Sequence, residues 1–195
     1  MIKLNDIAEI KTGLVLNRKK ADMSKEHKFY YSVVSLKSFN EDAVYDNAFA
    51  DEFISNEQIK EDYQVKKGDI LLRLREPNFA VYIDKEYENL IYPSLMVRVK
   101  LQDRRFDAHF IAHYLNSTIV RRALSTELSG TTIPMINVAN VNGIEIPLIN
   151  IAKQKKIVEY LKLALKENEL LQNLINQKTK LAKAVFEEEV SSKNT

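Results

Sequence analysis

The chain has 195 residues, 45% apolar and 29% charged, the make-up of a folded domain with an appended element rather than of a disordered segment. No apolar run approaches the roughly 18 residues a membrane span needs, the first residues lack an apolar leader, and there is no cysteine, which excludes disulfides and thiolate chemistry and fits a reducing cytoplasm. Net charge is only +2, from 29 basic and 27 acidic residues, so an argument for a nucleic-acid partner rests on where the charge lies.

In chain order, Asn5 is placed to cap a short helix reaching Glu9, with Gly13 ending it. Residues 29–36 (FYYSVVSL) are aromatic and β-branched and predict a strand. Lys66-Lys67-Gly68-Asp69 predicts a turn, followed by an apolar strand over 70–74. Further strands are predicted over 79–83 and 95–101. Phe106, Phe110, Ile111, Tyr114 and Leu115 recur at helical spacing until Asn116-Ser117, and a second short helix is predicted over 118–128. Gly130-Thr131-Thr132-Ile133-Pro134 is a loop, and a last strand follows over 143–148. Pro147, which lacks a backbone donor and favours an extended residue before it, marks a junction.

Beyond the junction the pattern changes in kind. Residues 151 to about 190 contain neither Gly nor Pro and predict one helix, able to extend about 60 Å at 1.5 Å per residue. Two adjacent heptad seams interleave on it: Ile157, Ala164, Leu171, Leu174, Leu181 and Val185 on one, and Val158, Leu161, Leu165, Ile175, Ala182 and Phe186 on the other. A stripe that wide on a helix this long predicts a partner helix. Asn168, Gln172, Lys178 and Thr179 interrupt the seam, as register-fixing polar residues do. The expected division is a globular domain over 1–149 and a dimerisation and spacer helix with a short disordered tail over 150–195.

A search for catalytic chemistry yields little. Gly13, Gly68, Gly130 and Gly143 are isolated, so no phosphate-cradling loop exists. His109 and His113 lie four apart on a predicted helix face but lack the Glu of a metalloprotease pattern. Glu76-Pro77-Asn78-Phe79 has the wrong order for a methyltransferase turn, and Glu26-His27-Lys28 is an isolated fragment of a nuclease-type acidic motif. The chain reads as non-catalytic. Positive charge gathers at Arg98, Lys100, Arg104, Arg105, Arg121 and Arg122, against Asp103 and Asp107, and again in the lysines of the long helix.

Five strings then stand in a telling order. Leu4-Asn5-Asp6-Ile7-Ala8-Glu9-Ile10-Lys11-Thr12-Gly13 opens the chain; Lys67-Gly68-Asp69-Ile70-Leu71-Leu72 lies mid-domain; Tyr114-Leu115-Asn116-Ser117 ends a helix; Gly130-Thr131-Thr132-Ile133-Pro134 forms a loop; Ile144-Glu145-Ile146-Pro147-Leu148 precedes Gln154-Lys155-Lys156-Ile157-Val158. In this order they resemble the target-recognition domain and conserved-region helix of type I restriction-modification specificity subunits. Members of that family carry two recognition domains and two such helices; this chain has one of each.

The resemblance implies an α+β fold: a recognition domain with small mixed and antiparallel sheets and short helices, then a long C-terminal helix forming an antiparallel coiled coil in a dimer. It implies a sequence-specific partner in double-stranded DNA, read in the major groove, a separate DNA methyltransferase (modification) subunit, a restriction/translocase subunit, and a second copy of the chain, in the cytoplasm. No cofactor is expected on this chain; S-adenosylmethionine, ATP and magnesium belong to the partner subunits. The expected DNA-contacting set is Thr12, Arg18, Lys19, Lys20, Lys37, Arg73, Arg75, Thr131 and Thr132, at strand ends or in loops. For Arg73 and Arg75 the alternative is a strand with one solvated face, Leu72 and Leu74 lying on the other. The expected dimer interface is Ile157, Leu161, Ala164, Leu171, Leu174, Ile175, Leu181 and Val185. The rival reading is a coiled-coil interaction module with a globular head and no DNA role.

Overall fold

The computed structural model describes residues 1–22, 24, 27–127 and 135–192, with the side chains of 126, 127 and 192 excepted. It divides into two units, Met1–Lys155 and Lys156–Thr195.

The first unit is built on a four-stranded antiparallel sheet in the order β2 (Ala8–Thr12), β8 (Met96–Leu101), β5 (Ile70–Arg73) and β6 (Ala80–Tyr82). Ile70, Leu71 and Leu72 are consecutive and all 0% exposed. Because successive side chains of a strand point to opposite faces, such a run requires cover on both faces. On one face Leu71, Val81 and Met96 join Val34, Phe39, Tyr45, Val65, Ile83, Leu90 and Tyr92 in one apolar cluster. On the other, the sheet meets helix α1 (Ala108–Leu115), where Tyr82 stacks on His109 at 4.6 Å and His109 on His113 at 5.0 Å between ring centroids. Burial pushes the Tyr92 phenol up to about 12, and its hydroxyl reaches the Lys11 carbonyl.

A three-stranded mixed sheet lies beside it in the order β4 (Asp51–Ser55), β3 (Phe29–Val33) and β7 (Leu90–Ile91). β3 runs antiparallel to β4 and parallel to β7. A two-stranded pairing of β1 (Ile2–Lys3) with β9 (Glu145–Ile146) ties the first residues to the last strand. Helices α2 (Thr118–Glu127) and α3 (Val138–Asn142) follow α1. The Asp107 carboxylate caps α1 by accepting from Phe110 N at 3.0 Å, and Asn137 and Asn140 cap α3 reciprocally. Asn116, just past α1, accepts from Ala80 N and donates to the carbonyls of Ala80 (2.9 Å) and Glu41 (3.0 Å), fastening the helix end to β6.

The expected turn at Lys66-Lys67-Gly68-Asp69 is present. Gly68 has φ 93°, a left-handed conformation that suits glycine. The Asp69 carboxylate accepts from Lys66 N at 2.8 Å, and burial raises its pKa above the ordinary carboxylate value.

One expectation is overturned. The opening segment is not a helix to Glu9: a single 3-10 turn, Leu4–Asp6, gives way to strand β2, and Asn5 caps nothing. Leu4 and Ile7 have helical spacing, but Ala8 to Thr12 alternate along β8 through five paired residues, and that pairing decides the local structure. Gly13 therefore ends a strand. Its backbone passes so close to β7 and its exit that an added Cβ would lie 2.4 Å from the carbonyl oxygens of Tyr92 and Pro93. Strands β4 and β7 and helix α3 were not expected; all three are short and two owe their conformation to neighbouring strands.

Helix α4 (Ile151–Ser192) has 42 residues. Its start is pinned by Asn150, whose side chain accepts from Ala152 N at 2.8 Å, and by Gln154, which is 0% exposed. Gln154 Oε1 accepts from Asp107 N (2.9 Å), and its Nε2 donates to the carbonyls of Arg105 (3.0 Å) and Ile149 (2.6 Å). In the second unit every side chain described from Lys166 to Ser191 is exposed, including Leu171, Leu174, Ile175, Leu181 and Val185. The α+β class with small sheets and a long C-terminal helix is the fold observed. No described helix is long and apolar enough to cross a membrane.

Candidate nucleic-acid interface

The end of the four-stranded sheet where β2 and β5 finish gathers four of the expected DNA-contacting residues. Thr12 and Leu72 flank Val97 of β8, and Arg73 pairs with Met96 one step further along. Beyond β5 the chain turns tightly. Arg73 N donates to Phe79 O (3.0 Å), Asn78 Nδ2 to Arg73 O (3.1 Å), and Phe79 N to Pro77 O (2.8 Å), with a cis bond between Glu76 and Pro77. Arg75 sits on this closed loop, exposed, its backbone bridged to Met135.

The two arginines differ in environment. Arg73 is partly buried, packs 6.0 Å from the Phe39 ring centroid, and donates through its guanidinium to Leu36 O (3.4 Å) and Glu76 O (3.5 Å). Burial, and after it the Arg75 charge, lowers the Arg73 pKa from its ordinary value. The alternative of two arginines on one solvated strand face therefore does not describe the chain: Arg73 closes the strand and Arg75 lies outside it. Lys37 is exposed on the 3-10 turn Leu36–Ser38, whose Leu36 carbonyl receives Arg73.

Arg18, Lys19 and Lys20 form a separate group. They line an open groove of about 620 Å³ with Asp22, His27, Asn56 and Glu57, at the end of β4. Lys19 is ion-paired with Glu57, and the Asp22 carboxylate lines the same groove, so part of this charge is offset. Thr131 and Thr132 lie outside the described residues.

Several basic residues are neutralised by neighbours. Arg98 is 5% exposed, donating to Gln64 O (3.3 Å) and Glu9 (3.5 Å). Arg105 holds Asp103 through its Nε and a terminal nitrogen, which keeps the Asp103 carboxyl below the usual range. Lys11 pairs with Asp62 at 2.8 Å and lies over the Tyr63 ring. Lys66 pairs with Glu61. Arg121 of α2 is different. It is exposed, and its guanidinium lies 5.2 Å from the centroid of Phe79, on the same closed loop as Arg75. The only sequence signal for it was the basic stretch ending in Arg121-Arg122; its place beside the loop is a tertiary fact.

Residues 1–179 match the family described as type I restriction modification DNA specificity domain, and the chain belongs to that family. Among solved structures it is similar to the HsdS subunit from Thermoanaerobacter tengcongensis, at 13% identity and a TM-score of 0.66, over 89% of this chain and 43% of that one. It is similar to the type I restriction-modification S subunit from M. genitalium at 18% identity and a TM-score of 0.54, over 92% and 42%. A chain from work on complex assembly and conformational transition of the type I R-M system matches at 17% identity and a TM-score of 0.55, over 87% and 39%. At these identities the likeness concerns the fold. The chain spans about two fifths of the length of each of these structures. No curated protein gives a significant match. The family is one of specificity domains, not of catalytic subunits, and recognition of DNA sequence in a restriction-modification system is its business.

Proposed function

We propose that this chain is a DNA-recognition half-subunit. In this reading residues 1–149 read duplex DNA, residues 150–195 supply a dimerisation and spacer helix, and two copies direct a separate adenine methyltransferase, and with it a nuclease/translocase, to a bipartite site in cytoplasmic DNA. The family match over residues 1–179 carries the reading. The sheet end bearing Thr12, Lys37 and Arg75, with Arg73 packed beneath, supports it, because guanidinium and ammonium groups on short rigid turns suit phosphate and guanine edges. The groove at Arg18, Lys19 and Lys20 is a second candidate contact.

Support for pairing lies in α4. Leu171, Leu174, Ile175, Leu181 and Val185 are 47–65% exposed, an apolar row that a second helix of the same kind would cover. Ile157, Leu161 and Ala164 extend the proposed seam toward the start of the helix.

The division of labour is testable. The purified chain with labelled S-adenosylmethionine and duplex DNA is expected to transfer no methyl group; adding a cognate modification subunit is expected to give methylation at one defined motif. Methyl transfer by the chain alone refutes the division of labour. Methylation whose sequence preference does not change when the chain is swapped for another specificity subunit refutes the recognition role and favours a mere coiled-coil adaptor.

A further inference from the structure

We infer that Arg121 of α2 and Arg75 form a single phosphate-binding pair beside the closed loop 73–79, and that Arg73 is a positioning residue beneath it that does not touch DNA. The inference rests on the reading of the chain as a DNA-recognition subunit and deepens it.

Three observations carry it. The first is charge. Lys11, Lys19, Lys66, Arg98 and Arg105 each have a carboxylate partner, whereas no described carboxylate lies within ion-pair distance of Arg75 or Arg121. Among the exposed cations around the sheet end these two, like Lys37 on its separate turn, have no described carboxylate partner and are open to an outside anion; the acidic side chain of Glu76 shares the loop but makes no ion pair with them.

The second is rigidity. Arg75 stands on a loop closed by three hydrogen bonds and fixed at its own backbone to Met135, while Ile136 N donates to Leu74 O at 2.8 Å. The Arg121 guanidinium rests on the Phe79 ring of that loop. Stacking on a ring holds the planar guanidinium while leaving N–H donors for a phosphate oxygen pair. A cation fixed in this way loses less freedom on binding than a free lysine.

The third is the contrast with Arg73. Its two terminal nitrogens each reach a carbonyl oxygen, and its partly buried guanidinium packs against Phe39. It links the turn at Leu36 to the loop at Glu76, and so fixes the platform from which Arg75 projects.

Equilibrium binding of the full chain to a fluorescent duplex, measured over a range of salt, separates these roles. Each phosphate contact contributes about 0.9 to the slope of log K against log salt. Arg75→Gln and Arg121→Gln are each expected to reduce the slope by about one, and the double variant by about two. Arg73→Gln is expected to weaken binding with the slope intact, and Arg73→Lys, which can satisfy one of the two carbonyls, to recover part of the loss. Thermal melting accompanies each variant; if Arg73→Gln does not fold, Arg73→Lys carries that arm alone. A slope unchanged in Arg121→Gln, even with weaker binding, makes it a mere cover for Phe79 and overturns the pair. A slope that falls in Arg73→Gln or Arg73→Lys overturns the positioning role. Salt-independent or absent binding by the unsubstituted chain overturns the DNA-recognition reading itself and this inference with it.

Discussion

Single residues set the geometry of the sheet end. Thr12 reaches it because Gly13 lets β2 leave the sheet against the backbone at Tyr92 and Pro93, with Gly13 N donating to Met96 O (3.1 Å) and Leu14 N to Tyr92 O (3.0 Å). The obstruction facing an added methyl is backbone, which cannot swing aside as a side chain could. Gly13→Ala is therefore expected to cost about 1–3 kcal/mol, the usual range for overpacking. Urea denaturation followed by circular dichroism measures it; an unchanged midpoint means that the strand exit moves freely. Gln154 works by hydrogen bonding. Its buried amide makes three bonds to main-chain groups at Arg105, Asp107 and Ile149, which explains physically why a glutamine stands at the start of this helix. No apolar replacement can satisfy both the N–H and the carbonyls it serves.

At the scale of elements, α4 has the clearest consequence. A helix of 42 residues with an uncovered apolar row is poorly accounted for by propensity alone, since most helical stability in proteins comes from packing. If α4 pairs with a second copy, changing Leu171, Leu174 and Ile175 together to Asp places unpaired charge in the seam. The expected product is a folded monomer with an intact recognition domain, visible by sedimentation equilibrium and near-ultraviolet circular dichroism. A dimer of unchanged mass removes α4 from the interface. Strand β2 teaches the complementary lesson. Leu4 and Ile7 just before it are spaced as in a helix, its own five residues are too few to fix a period, and five pairings with β8 select the strand.

For the molecule as a whole, the proposed homodimer constrains the DNA site. Closed homodimers are overwhelmingly two-fold symmetric. Identical recognition domains related by such an axis read the same bases on opposite strands, so the target is expected to be an interrupted palindrome, as with dimeric helix-turn-helix proteins. The spacer would follow helix length, about 63 Å for 42 residues at 1.5 Å each. Removing seven residues from the middle of α4 keeps the heptad phase. The half-sites are expected to stay the same while their spacing shrinks, as read by selection of bound duplexes from a random library. An asymmetric motif from the unsubstituted protein would mean that a second, different specificity chain completes the assembly.

Elements whose signals are local are legible in the chain alone. The uninterrupted run after Pro147 became α4, the Lys66-Lys67-Gly68-Asp69 turn was legible from Gly68, and the apolar runs became β5 and β8. Three of the five ordered strings mark local devices: the turn at Lys66-Lys67-Gly68-Asp69, the helix end at Asn116 and the buried Gln154. The remaining elements depend on contacts between residues distant in the chain. Strands β4 and β7 exist through pairing with β3, β2 through pairing with β8, and none has a strong local pattern. The same holds for charge. Arg98 and Arg121 belong to one basic stretch of the sequence, yet Arg98 is enclosed beside Glu9 and Gln64 while Arg121 lies exposed over Phe79. Composition counts charges, but burial and the nearest carboxylate decide which of them can reach a partner, and both are set by how distant segments pack.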